Sequence, residues 1–250
     1  MKFLGIIPAR YASTRFPGKP LALLGGKPVI QRVYEQAVRV LDETVVATDD
    51  ERILQTVEAF GGKALMTSSR HRSGTDRCYE AFLKVGQDYD VVVNIQGDEP
   101  FIQPEQLEAI RKCFLDPTTQ IATLAKAFVK TDGLEALHNP NSPKVVLDEK
   151  NHALYFSRSV IPYLRGVEAS QWLEKHTFYK HIGIYAYRAQ TLVEITALPA
   201  GVLEQAESLE QLRWLEHGYT ITVGKTQIET IGIDTPEDLE RAEEFLKNLK

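Results

Sequence analysis

Short apolar runs alternate with segments of helical period along the first half of the chain. KFLGIIP reads as a buried strand. In PVIQRVYEQAVRVL, Val29, Val33, Ala37 and either Val40 or Leu41 recur at helical spacing, and Pro28 suits a first helical position. ETVVATD is a continuous apolar strand. DERILQTVEAF is helical and stops at Gly61-Gly62. KALMT predicts another strand, and TDRCYEAFLKVG a helix closed by Gly86, with Thr75 a candidate cap. DVVVNIQ is valine-rich enough to be buried on both faces, and PEQLEAIRKCFL is the next helix. This rhythm predicts right-handed βαβ units and an α/β fold, with a mostly parallel, Rossmann-like sheet flanked by helices. Ligands of such sheets bind beyond the carboxyl ends of the strands. The loops after Ile7, Thr48, Met66 and Ile95 are therefore the ones expected to carry function.

The pattern changes over about 121–187. IATLAKAFV, KVVLDEKNHALYFSRSVIPYL and FYKHIGIYAYR predict strands, with a hairpin turn at Asp148–Asn151. The expectation is one domain over 1–250, with a smaller lobe of mixed or antiparallel character in the middle. AESLEQLRWLEHG returns to helix and TITVGKTQ to strand. In TPED, Thr235 predicts a cap, Pro236 a first helical residue and Asp238 an acid at the third position. The segment 166–178 receives no assignment beyond a candidate flap.

Composition narrows the class. The chain has 250 residues, 43% hydrophobic and 25% charged, which suits a soluble globular protein. No apolar run approaches the roughly 20 residues of a membrane span, and MKFLGIIPAR lacks the features of a signal peptide. Cys78 and Cys113 are the only cysteines, which predicts a reducing, cytoplasmic setting without a cysteine-rich metal site. A net charge of −5 argues against a general nucleic-acid binder. The charge is uneven, however. Six basic residues lie between Met1 and Tyr34 (Lys2, Arg10, Arg15, Lys19, Lys27, Arg32), and the first acid is Glu35.

Three of these cations fall in IIPARYASTRFPGKPL, directly after the first strand. The chain lacks a P-loop, because Gly26-Lys27 is followed by Pro28, and no GxGxxG follows the first strand. No DxD follows a strand either, which weakens a glycosyltransferase reading. Side-chain cations therefore replace a glycine-rich phosphate cradle. Arg10 and Arg15 offer planar forks and Lys19 a point charge, with phosphates as the expected partners. Asp98 in VVVNIQGDEP stands at the end of a central strand, where a carboxylate can hold a hard cation against phosphate. Asp234 in ETIGIDTPEDLERA is a second such acid, although an acid before a helix is also favoured by the helix dipole. Ser73, Gly74 and Thr75 in MTSSRHRSGTDR can read a base edge.

IIPARYASTRFPGKPL, HRSGTDR, NIQGDEP, PKVVLD, ALYFSRSVIPY, HIGIYAYR, LEQLRWL and GIDTPEDLERA occur in this order across nearly the whole chain. Together they closely resemble the 3-deoxy-manno-octulosonate (Kdo) cytidylyltransferases, also called CMP-Kdo synthetases. The first motif alone is shared with related sialic-acid enzymes; the combination is specific. The resemblance implies a magnesium-dependent reaction of CTP and Kdo to CMP-Kdo and pyrophosphate, serving lipopolysaccharide synthesis in the cytoplasm. It also implies a homodimer, with the middle lobe serving dimerisation and sugar binding. By the same resemblance, Arg10, Arg15, Lys19, Ser73, Gly74 and Gln96 bind nucleotide, with Arg15, Lys19 and Asp98 catalytic. Asp98 and Asp234 become the metal ligands, and Arg77, His181, Tyr185, Glu210 and Gln211 line the sugar-acid pocket. Transfer to another acid sugar, and CTP sensing without turnover, stay open as rival readings.

Overall fold

A computed structural model describes residues 1–13, 15–86, 88–228 and 231–248. Thr14 of the first motif, and Glu229 and Thr230 of the last, lie outside the described residues. In chain order the elements are β1 (Phe3–Ala9), β2 (Leu23–Leu24), β3 (Lys27–Pro28), α1 (Val29–Ala37), β4 (Glu43–Thr48), α2 (Glu51–Ala59) and β5 (Ala64–Met66). Then come α3 (Gly74–Val85), β6 (Val91–Asn94), α4 (Pro104–Cys113), β7 (Ile121–Ala127), α5 (Gly133–His138), β8 (Lys144–Leu147) and β9 (Ala153–Ser157). The chain continues through α6 (Trp172–Lys175), β10 (Tyr179–Arg188), α7 (Ala189–Thr196), α8 (Val202–Glu207), α9 (Gln211–Glu216), β11 (Ile221–Thr226) and α10 (Pro236–Asn248). No helix among the described residues is long and apolar enough to cross a membrane.

The chain divides into two compact units. Unit 1 comprises Met1–Glu108, Ala186–Thr196 and Thr230–Lys250. Its strands run in the order β6-β1-β4-β5, all parallel. Ile6 of β1 sits between Val45 of β4 and Asn94 of β6. Leu4, Ile6 and Ile7 are fully buried, as are Val46 and Ala47 on β4 and Val91, Val92 and Val93 on β6. Consecutive apolar side chains are what a parallel strand covered on both faces requires. The helices contribute one apolar stripe each, such as Val29, Ile30, Val33 and Ala37 on α1. Burying each of the valine and isoleucine side chains stabilises the fold by about 1.5–3 kcal/mol. Because β4 lies to one side of β1 and β6 to the other, the strand order reverses at β1. That reversal opens a crevice at the carboxyl ends of β1 and β6.

Two local expectations shift. Pro28 is the N-cap of α1 and lies just outside the helix. Ser73, not Thr75, caps α3: its Oγ accepts the Asp76 N–H at 3.1 Å, while Thr75 is buried within the helix. Ser73 prevails because its extended backbone leaves the side chain free to turn back on the first turn.

Unit 2 comprises Ala109–Tyr185 and Ala197–Glu229. The antiparallel character expected of the middle of the chain appears where β8 pairs with β9 and with the start of β10. β7 instead pairs in parallel with β11, from Ile121↔Ile221 to Lys126↔Thr226. Period alone does not reveal strand direction, because parallel and antiparallel strands share it. The unassigned segment 166–178 contains α6, and Trp172 on that helix is buried with Phe128, Leu137 and Phe178. Its indole N–H donates to the Val167 carbonyl at 3.0 Å. Both described cysteines are free thiols, and burial pushes the Cys113 thiol up to about 11.

His181 belongs to unit 2 and is half-buried. Its Nε2 is 3.0 Å from Thr123 Oγ1, and its ring meets Phe156 edge-on and Tyr185 at a tilt. Burial pulls its pKa down from 6.5 to about 3. Such a histidine takes up a proton in the unfolded chain first. The stability it contributes is complete above about pH 6.5 and is lost as pH falls from there toward 3. One proton contributes a slope of at most about 1.4 kcal/mol per pH unit. Glu80 falls in a lower window. Burial alone would raise it, but bonds from Lys84, the Ser68 N–H and His71 outweigh that and bring it down to about 2. Urea denaturation of wild type and His181→Gln between pH 7.5 and 5 should therefore show the stability gap closing in favour of the variant below pH 6.5. A gap that stays constant with pH would show that His181 keeps the same protonation on unfolding.

Candidate active site

The loop that leaves β1 is folded back on itself before it reaches Lys19. The Tyr11 carbonyl accepts the N–H of Ser13 at 3.0 Å and of Gly18 at 2.9 Å. Gly18 has φ 74°, and a Cβ there would meet the Tyr11 ring at 3.0 Å, so this turn calls for glycine on both counts. The Arg52 guanidinium lies over the Tyr11 ring, 3.3 Å from its centroid. Asp50 in turn holds Arg52 by two bonds, of 2.9 and 2.7 Å. Phe16 packs against a buried cluster that includes Leu24, Phe101 and Ile233. The loop is thus pinned by a stack at Tyr11 and by an apolar anchor at Phe16. Between them it presents Arg15, and just beyond them Lys19.

Two acids arrive from elsewhere in unit 1. Gly97 follows β6, and a Cβ there would lie 2.8 Å from the Pro8 carbonyl. Only glycine lets the β6 loop run this close to β1, and that approach delivers Asp98. The Ile233 N–H donates to the Asp98 carbonyl at 2.9 Å, and Ile233 is buried in the cluster that receives Phe16. Asp234 follows at the mouth of α10. The cap expected at Thr235 is present: its Oγ1 accepts the Asp238 N–H at 3.2 Å, and Asp238 Oδ2 accepts the N–H groups of Asp234 and Thr235 at 2.9 Å each. Thr235 and Asp238 share the capping, so the Asp234 carboxylate is left for other partners.

Those partners are the loop cations. Lys19 Nζ lies 2.6 Å from Asp98 Oδ2 and 3.2 Å from Asp234 Oδ1, and Arg15 Nη2 lies 3.1 Å from Asp234 Oδ2. The expectation that the loop cations answer to phosphate alone is therefore revised. Two of them have acidic partners, which sequence proximity hid because they lie 79 and 215 positions away from Lys19. Among the described residues Arg10 has no acidic partner, and it is exposed.

A cavity of about 420 Å³ opens at the carboxyl ends of β1 and β6. Arg10, Arg15 and Lys19 line one side, Ser73 and Gly74 at the start of α3 another, and Gln96 and Asp98 a third. The positive end of the α3 dipole adds to the field of the cations. Arg77 stands in the wall with only 1% of its surface exposed, bonded to Asp49 at 2.9 Å and to Thr67. This arrangement can hold a polyanion by side-chain forks, with two carboxylates positioned for a hard cation beside it.

The family model described as Cytidylyltransferase matches residues 4–231. A 3-deoxy-manno-octulosonate cytidylyltransferase of Phocaeicola vulgatus is 72% identical, over 99% of this chain and 98% of its own length. One from Porphyromonas gingivalis is 60% identical, over 98% and 96%. The chain belongs to the 3-deoxy-manno-octulosonate cytidylyltransferases. A solved structure of CMP:2-keto-3-deoxy-manno-octonic acid synthetase complexed with CTP is 44% identical, with a TM-score of 0.92 and full coverage of both chains. A glucose-1-phosphate thymidylyltransferase from Bacillus anthracis shares the fold alone, at 16% identity and a TM-score of 0.68.

Of the residues expected at the site, Arg10, Arg15, Lys19, Ser73, Gly74, Arg77, Gln96 and Asp98 line one cavity, and Asp234 joins it through the ion cluster. His181, Tyr185, Glu210 and Gln211 belong to unit 2. There, Tyr185 meets the Trp214 ring edge-on at 5.1 Å, and Gln211 is buried with no hydrogen-bond partner for Nε2 among the described residues. Glu210 immediately precedes α9. Sequence reasoning missed Tyr11, Arg52 and Asp49. Asp49 ends an apolar strand just as Asp98 does and was open to the same rule. The Arg52–Tyr11 stack left no signal, because a ring and a guanidinium 41 positions apart share no period.

The stack makes Arg52 a positioning residue for the loop. Arg52→Ala should raise the KM for CTP about two- to fivefold while kcat changes little, with Arg52→Lys recovering part of the loss. Steady-state kinetics checks this; an unchanged KM would mean that the stack does not set the loop.

Proposed function

We propose that this protein activates Kdo by transferring the cytidylyl group of CTP to it, giving CMP-Kdo and pyrophosphate. The observation that carries the reading is the convergence of Arg10, Arg15 and Lys19 with Asp98 and Asp234 at the β1/β6 crevice. The anomeric hydroxyl oxygen of Kdo bonds to the α-phosphorus of CTP as the bond to the β-phosphate bridging oxygen breaks. The leaving pyrophosphate carries away that electron pair, and the hydroxyl proton passes to solvent or to a phosphate oxygen.

Arg10 positions the nucleotide. Arg15 and Lys19 stabilise the charge that grows on the leaving group, where fixed cations in a partly dehydrated site act most strongly. Ser73, Gly74 and Gln96 stand where the nucleoside is expected. The chemistry of the donor set fits Mg²⁺: Asp98 and Asp234 offer hard oxygens that already converge on one cation, the Lys19 ammonium. When bound there, Mg²⁺ would supply charge neutralisation and alignment of phosphate oxygens. For the sugar acid, our reading uses His181, Tyr185, Glu210 and Gln211, with Arg77 shaping the wall through Asp49. The Gln211 Nε2, buried without a hydrogen-bond partner among the described residues, supports that reading. We further place the enzyme as a homodimer in the cytoplasm, serving lipopolysaccharide synthesis. The free thiols and the exposed Leu154 and Tyr163 of unit 2 support that placement.

A panel of sugar acids incubated with CTP and Mg²⁺, scored by pyrophosphate release, tests the reaction. Release with Kdo is expected; release with another acid sugar and none with Kdo would reassign the substrate. Lys19→Ala should lower kcat by about a hundredfold or more. An effect on KM alone would reduce Lys19 to a binding residue. Asp98→Asn should cost a comparable factor, and near-normal turnover in Mg²⁺ would refute the metal assignment.

A further inference from the structure

The two carboxylates are not idle. Lys19 bonds Asp98 Oδ2 and Asp234 Oδ1 together, and Arg15 takes the other oxygen of Asp234. The cluster is balanced, two acids against two cations. Lys19 is its most enclosed member, with 12% of its side chain exposed against 30% for Asp98 and 49% for Asp234. A partly buried ammonium held by two acids is weakly screened by solvent, and a second cation cannot share its position without close like-charge contact.

A second observation bears on the same point. Among the described residues no group of three or more His, Cys, Asp or Glu side chains could hold a metal ion. Among the described residues the site therefore offers two carboxylates, and Mg²⁺ bound so sparingly by protein draws its remaining ligands from water and substrate phosphates. A third observation supplies the means of exchange. Lys19 and Arg15, which neutralise the acids, also line the cavity that would receive the triphosphate. A polyanion entering there offers both cations stronger and more numerous acceptors than the carboxylates do.

We propose that Lys19 is a built-in counter-ion that reserves the Asp98–Asp234 pair and makes metal binding conditional on the nucleotide. The inference rests on the metal reading given above. Triphosphate draws Lys19 and Arg15 off the acids, and only then do Asp98 and Asp234 accept a divalent cation, which arrives with the phosphates. Two consequences follow for the reaction. Nucleotide and metal enter before they can act on the sugar, and the same lysine that guarded the acids is left against the leaving phosphates. Lys19 is thus moved by the substrate into the position where it is needed.

The test is Mn²⁺ binding, followed by the loss of the free-ion EPR signal, with and without CTP. Wild type should bind Mn²⁺ at least about tenfold more tightly with CTP than without. Lys19→Met and Lys19→Gln should each gain about tenfold in Mn²⁺ affinity without nucleotide, a gain that Lys19→Met/Asp98→Asn should lose. Retained melting transitions in the two single variants show that they are folded. If neither variant binds Mn²⁺ better than wild type while CTP-dependent binding stays intact, the gating role is overturned and the metal site stands. If Asp98→Asn and Asp234→Asn both leave CTP-dependent Mn²⁺ binding unchanged, the metal site itself is wrong and the gate falls with it.

Discussion

The ion cluster joining Lys19 to Asp98 and Asp234 is the constraint around which unit 1 is arranged. Each member is delivered by a different device. Gly97 allows the β6 loop to pass beside Pro8, the Thr235–Asp238 cap frees the Asp234 carboxylate, and the folded-back loop carries Lys19 inward. Two of the three deliveries share one anchor, since Phe16 and Ile233 meet in a single apolar cluster. The Ile233–Asp98 backbone bond then ties the third to the same frame. A charged site of this kind must be held by groups that are not themselves charged, because ion pairs alone specify distance weakly. Here apolar packing and main-chain hydrogen bonds do that work.

Much of this was legible in the chain. The βαβ rhythm located the crevice, because periodicity reports burial and burial reports the sheet. The cations of the first loop and Asp98 followed from position alone, as polar residues at the ends of apolar strands. Asp234 was harder. An acid before a helix has an ordinary purpose, and only the structure shows that Asp238 fulfils it and leaves Asp234 available. What stayed hidden has a common cause: contacts between residues remote in sequence. Lys19 with its acids, Arg52 with Tyr11 and Arg77 with Asp49 obey no period, and no local pattern announces them.

The surroundings of Arg77 and His181 show a second limit. Both are polar residues in recognisable motifs, and such residues invite assignment to a ligand. Arg77 has nearly all its surface covered and is held by Asp49 and Thr67, while His181 is half-buried and in contact with Thr123, Phe156 and Tyr185. Motif strength alone does not distinguish a group that meets substrate from one that holds in place a group that does.

The stack of Arg52 on Tyr11 has a consequence for time rather than for affinity. A loop that is shaped as the chain folds need not be shaped again at each encounter. Its backbone is already set when a nucleotide approaches, so what is left to rearrange is the exchange of Lys19 and Arg15 from carboxylate to phosphate. First capture should then be quick and should slow as ionic strength rises, because added salt shortens the reach of Arg10, the loop cation without an acidic partner among the described residues, before it alters any contact that residue makes.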